Sequence, residues 1–172
     1  NPLNDERYPQ CSLILDMDKV PLVMGSIITS SSQYGVTCCA SAQMQAKLQA
    51  PYSLDLRPMD LLRRGLDLVM KEDIEVNDKA LDKKYLIRSD NPDFTKLILP
   101  GSSLARLLLQ TKEFKIKVCP MGDERELHSI QVLCTRHIND SLTGKLMDME
   151  AVSLLAELCR EAYNTVTQYP ML

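Results

Sequence analysis

The stretch DIEVNDKALDKKYLIRSDNPDFTKLIL, residues 73–99, decides how the rest of the chain is read. Within it, Lys84-Tyr85-Leu86-Ile87-Arg88 is rich in strand formers, and its alternation puts Tyr85 and Ile87 on one face. Ser89-Asp90-Asn91-Pro92 breaks the strand and opens a helix. Asn91 supplies an N-cap oxygen, and Pro92 suits the first helical position, where its missing N–H costs nothing. Asp93 complements the helix dipole. Phe94, Leu97 and Ile98 recur at helical spacing, which predicts an apolar face laid over a sheet. Pro100-Gly101 ends this helix, and Ser102 or Ser103 caps a second one with Leu104, Leu107 and Leu108 on its buried side. Upstream, Asn77-Asp78 is turn chemistry, and residues 81–85 lead into the strand.

Leu81-Asp82-Lys83-Lys84-Tyr85, followed by a strand and by Ser89-Asp90-Asn91-Pro92 at a helix start, resembles a motif of uncharacterised prokaryotic domains often located beside transmembrane segments. That motif runs aromatic or apolar residue, Asp, two variable residues, aromatic; Leu81 stands where an aromatic is usual. The order of helices, two strands and a long C-terminal helix is similar too, over residues 54–168. The resemblance implies a fold and a prokaryotic source, and no activity.

Further along, residues 114–119 alternate Phe114, Ile116 and Val118 against Lys115 and Lys117, and residues 127–136 read as the antiparallel partner across a turn at 120–125. Residues 137–145 form a loop. Asp148 caps a long helix with Val152, Leu155, Leu158, Cys159, Ala162 and Val166 on one face. Upstream, residues 1–10 are an irregular arm and 11–15 a short strand or a helical turn. Residues 20–29, apolar on both faces, predict a strand covered on both sides. The serines at 30–32 turn the chain back into a strand at 36–41, and residues 44–49 extend that strand or form a helical turn. Tyr52 to Leu56 alternate as a strand closed by Pro58, and residues 65–71 are another strand candidate.

The fold class that follows is α+β: a mostly antiparallel sheet of about six strands, carrying helices at 92–99, 103–111 and 148–167. At 172 residues, with 45% hydrophobic and 25% charged content, the chain is read as one globular domain. A net charge of −3 gives no general attraction to nucleic acid, and 5% aromatics without Trp give no base-stacking platform. No apolar run reaches the roughly 20 residues of a membrane span. The chain starts at Asn1-Pro2, so it is also read as a fragment of a longer protein whose membrane segment lies outside it.

Six cysteines, Cys11, Cys38, Cys39, Cys119, Cys134 and Cys159, are irregularly spaced and fall in core patterns, which predicts reduced thiols and a cytoplasmic location. Cys119, His128, Cys134 and His137 are the residue types of a zinc site. Yet Cys134 and His137 point to opposite faces if the strand continues, and six residues of strand hold His128 and Cys134 roughly 20 Å apart. No metal or other cofactor is therefore assigned. Paired carboxylates at Asp16 and Asp18, and at Asp73 and Glu75, read as edge charges, and Gly101-Ser102-Ser103 reads as a cap. Arg57, Arg63 and Arg64 form the one basic cluster, a candidate contact for an anion or a partner surface. The expectation is a non-catalytic interaction or accessory domain, tethered to the cytoplasmic face of a membrane, with a protein partner or a second copy and no nucleic acid. The alternative is an enzyme or small-ligand binder whose polar groups converge only in three dimensions.

Overall fold

The computed structural model describes residues 13–17, 19–32, 35–59, 73–111, 114–122, 124–137 and 149–169. In chain order these form β1 (Leu13–Met17), β2 (Val20–Ser32), β3 (Gly35–Lys47), β4 (Leu54–Pro58), α1 (Lys79–Lys84) and β5 (Tyr85–Ser89). Then come α2 (Pro92–Ile98), α3 (Ser103–Gln110), β6 (Phe114–Met121), β7 (Glu124–His137) and α4 (Met149–Thr167). Seven strands, rather than about six, make one sheet in the order β1-β2-β3-β7-β6-β4-β5, and each neighbouring pair is antiparallel. The fold is α+β.

Alternation assigns the two faces. Ala42 and Met44 of β3, Ile130 and Val132 of β7, Ile116 and Val118 of β6, Leu54 and Leu56 of β4, and Tyr85 and Ile87 of β5 all enter one core. The buried residues of the four helices, from Leu81 in α1 to Val166 in α4, join that same core. The four helices named above therefore lie on one face of the sheet. In α4 the stripe of Leu155, Leu158, Cys159, Ala162 and Val166 is buried, as its spacing predicts, and the helix packs over β2, β3 and β7. The Cys159 thiol donates to the Ile130 carbonyl at 3.8 Å, and Ile130 is the register partner of Met44. A small residue here lets the helix sit low over the β3–β7 pair, and burial pushes the thiol up to about 12.

The stretch at 73–99 folds largely as read. Tyr85 and Ile87 are buried, the Asn91 side chain accepts from the Phe94 amide at 3.1 Å, and Pro92 opens α2. Ser102 caps α3 by accepting from the Ala105 amide at 3.0 Å. Leu97, however, is 58% exposed. The inward side of α2 is set by Phe94, Thr95 and Ile98, because Thr95 is drawn into a buried hydroxyl network. Its Oγ1 lies 2.8 Å from the Tyr52 hydroxyl and reaches Ser89 Oγ at 2.8 Å and the Asn91 carbonyl at 2.9 Å. The Tyr52 ring meets Phe94 edge-on, with centroids 5.1 Å apart. Leu107 is half-buried, and Ala105 takes its expected place beside Leu104 and Leu108.

Other expectations change. Residues 79–84 form a short helix, with the Asp78 carboxylate capping the Ala80 and Leu81 amides; the turn is confined to Asn77, at φ 65°. Ser30 to Ser32 are strand residues, and pairing continues to Ser32 opposite Gly35. Residues 44–47 extend β3. Over residues 21–24 β2 is covered on one side: Leu22 and Met24 are buried, while Pro21 is exposed and Val23 half-buried. The strand candidate at 65–71 and the cap at Asp148 lie outside the described residues. At the far end of α3, Lys84 Nζ donates to the carbonyls of Leu108 and Leu109, a cation at a helix C-terminus. The Tyr85 hydroxyl adds a bond to the Leu108 carbonyl at 3.2 Å.

Two stability measurements follow. Phe94→Ala empties a buried aromatic site and should cost about 3–5 kcal/mol. Asn91→Ala should cost about 1 kcal/mol through the lost cap, and Leu97→Ala and Lys96→Ala should be nearly silent in denaturant melts. A melt in which Leu97→Ala matched Phe94→Ala would overturn the assignment of the buried side of α2. The second measurement uses pH. Burial raises Tyr52 and Tyr85 from 10.0 to about 12. The unfolded chain then loses these protons first, so their stabilisation is intact below pH 10 and lost as pH rises from 10 to 12. The loss is about 2–3 kcal/mol per tyrosine. Tyrosinate absorbance from these two rings should rise only together with unfolding.

Candidate functional site

Strand alternation that buries Leu54 and Leu56 turns Asp55 and Arg57 to the face opposite the helices. The same parity in β6 turns Lys115 and Lys117 outward beneath buried Ile116 and Val118. Sheet order then brings these charges together. β4 lies between β5 and β6, so Asp55 stands opposite Arg88 on one side and Lys117 on the other. Arg57 donates from Nε to Asp55 Oδ2 at 2.9 Å and from Nη2 to the same oxygen. Lys115 Nζ is 3.9 Å from Asp55 Oδ1, and Arg88 Nε is 3.6 Å from Asp73 Oδ1. The Asp55 side chain is 17% exposed, so its carboxylate is the shielded centre of this group.

The electrostatics follow from that placement. The hydrogen bond to Asp55 raises Arg57 above its ordinary value, against the cost of partial burial. Lys115 is lowered, first by burial and then by the like charges of Arg57 and Lys117, with Asp55 opposing. Lys117 is exposed and makes no ion pair with a described residue. A shallow depression of about 380 Å³ lies over this region, bounded by Ser53, Asp55, Arg88, Asp90, Lys117 and Cys119. Asp90 is committed to its rim, accepting from the Ser53 amide at 2.8 Å. Next to the β6 lysines the surface is neutral: Lys117 faces Gln131, Cys119 faces Ser129, and Gln43 Nε2 donates to Ser129 Oγ at 3.0 Å. Fixed charges of this kind suit ionic recognition.

Of the three arginines singled out by sequence, Arg57 belongs to this site; Arg63 and Arg64 lie outside the described residues. Asp55, Arg88, Lys115 and Lys117 were not connected to it by sequence. Their signal was the alternation, which gives each residue's face but not its neighbour across the sheet. The Cys and His set is split between the faces. Cys119 borders the depression, whereas His128 and Cys134 are buried on the core side. His128 Nε2 accepts from the Tyr52 amide at 3.0 Å, so its proton sits on Nδ1 and is donated to the Glu126 carbonyl at 2.9 Å. Both ring nitrogens are thus engaged. The His137 side chain and Cys11 lie outside the described ones, and among the described residues no group of three or more His, Cys, Asp or Glu converges. Asp73 and Glu75 are exposed, and Asp73 pairs with Arg88; Asp16 is exposed on β1, and Asp18 is outside the description. Among the described residues no helix is long and apolar enough to cross a membrane.

Asp55→Asn tests the electrostatic centre. It removes the anion holding Arg57 and Lys115 and leaves like charges facing each other, which should cost about 1–2 kcal/mol at low salt. The deficit should shrink as salt is raised, because screening relieves the repulsion. A salt-independent deficit would mean that Asp55 acts by packing instead. Comparison with known protein families, with characterised proteins and with solved structures finds no match to this chain.

Proposed function

We propose that this chain is a non-catalytic interaction domain that meets a protein partner with the sheet face opposite its helices. The observation that carries the reading is that the described helices all cover the same face of the sheet. Among the described residues the helices take one face, and the other carries charged and amide side chains over β4, β6, β7 and β3 together with Leu133 and the buried Leu86 and Cys39. A sheet face of this composition is stable in water and offers fixed polar groups at regular spacing. The β5 edge is closed to further strand pairing at its centre, where the Ile74 amide donates to the Ile87 carbonyl at 2.9 Å. That favours the face over this edge as the contact. A cytoplasmic location is part of the proposal, supported by thiols at Cys39, Cys119, Cys134 and Cys159, three of them buried. A tether to a membrane rests on the motif at residues 81–92.

Site-specific photo-crosslinking in the cells that make the protein tests the reading. A photoreactive residue at Gln131, on the open face, should give a discrete adduct that Lys117→Glu abolishes. One at Glu157, on the outer side of α4, should give none. Adducts from position 157 alone would move the interface to the helical layer and overturn the proposal.

A further inference from the structure

The two edges of the sheet are finished differently. At β5 the Ile74 amide already donates to the Ile87 carbonyl, whereas among the described residues β1 has β2 as its one neighbour. β1 also lacks the devices that blunt an edge: it holds no Pro, Lys or Arg, and its register with β2 runs without a bulge. Leu13 and Ile14 are 55% and 67% exposed on it, while Leu15 and Met17 pack in part against the core. We infer that β1 pairs antiparallel with β1 of a second copy, Leu15 against Leu15, joining two sheets into one across a two-fold axis. The inference is independent of any partner on the open face.

The hydrogen-bond phase of β1 selects this occupant and its register. Met17 pairs with Val20 across a two-residue turn, and such a turn closes on a hydrogen-bonded pair. Leu13, Leu15 and Met17 therefore direct their backbone groups at β2. Asp16 stands opposite Pro21, which has no N–H to give, in agreement with that phase. The amides and carbonyls of Ile14 and Asp16 thus point away from β2 and are the groups a further strand must meet. When Leu15 faces Leu15, each Ile14 meets Asp16 of the second copy, and each such pair exchanges both backbone bonds. The match uses all five residues of β1. Leu13 then falls opposite Met17, which continues the apolar layer, and both helical layers lie on one side of the joined sheet. Moving the axis to Asp16 sets two carboxylates directly opposite, which is unfavourable. Moving it to Ile14 leaves Asp16 and Met17 with no residue of β1 to face. Strands of five residues bury little area, so the dimer is weak and depends on concentration.

The test is sedimentation velocity on the full chain over a wide range of concentrations. A reversible monomer–dimer equilibrium should appear and persist in high salt, because backbone bonds and apolar contacts hold it. Ile14→Pro removes an N–H that points outward, so it should melt much like the wild type yet dimerise about tenfold more weakly. Leu15 and its copy form a non-hydrogen-bonded pair with Cα atoms about 4.5 Å apart, within disulfide reach. Mild oxidation of Leu15→Cys should therefore give a covalent dimer above the wild-type background. Ile14→Cys, about 7–8 Å from its copy on the diagonal, should not. A chain that stays monomeric, a dimer insensitive to Ile14→Pro, or cross-linking through position 14 in place of 15 would each overturn the inference. The two cysteine variants decide the matter even where Ile14→Pro proves unfolded in the melt.

Discussion

The antiparallel pairing of β3 with β7 holds this domain together. Without it the sheet would fall into two pieces, β1-β2-β3 and β7-β6-β4-β5, each with a half-covered apolar face. Both strands are long, at 13 and 14 residues, and their shared register runs from Lys47 opposite Leu127 toward Cys39 opposite His137. α4 lies across the same seam, and Cys159 bonds to its backbone. Sheet hydrogen bonds and helix burial thus depend on one junction. A one-residue slip there would exchange the buried and solvated sets of every strand beyond it.

A second junction fastens the short strands. β4 and β5 have only five residues each, too few to be secure by pairing alone. They are held by polar groups at their ends: the Tyr52 amide on His128, the Tyr52 hydroxyl near Thr95, and Thr95 on Ser89. In a water-poor interior each of these groups would be costly without a partner, and here each has one. The arrangement couples β7 to β4 and β4 to α2, and it settles which side of α2 faces inward.

Among the described residues the helices cover one face of the sheet, and the other is largely polar. It carries amides and hydroxyls in the centre and charges at the β4–β6 end. The charges are not scattered. Asp55 sits where two cross-strand neighbours and one residue of its own strand are cationic, so one carboxylate organises its surroundings and Lys117 remains exposed. The same parity that builds the core therefore builds this charged surface, one residue out of phase.

Much of this was legible locally. Alternation at 114–119 and the helical stripe of α4 identify their elements, because a half-buried strand and an amphipathic helix must repeat at two and about 3.6 residues. Asn91-Pro92 and Ser102 mark helix starts because capping depends on neighbouring atoms alone. Local pattern failed where distant residues competed. Leu97 has the spacing of a core residue, but Thr95 was claimed by Tyr52 and Ser89 and turned the helix away from it. The serines at 30–32 have turn composition, but continued pairing with β3 keeps them extended. Periodicity by itself placed Asp55, Arg57, Lys115 and Lys117 on polar faces. Only the tertiary structure decided that those faces are one surface, because strand order is set by long-range pairing that no local spacing encodes.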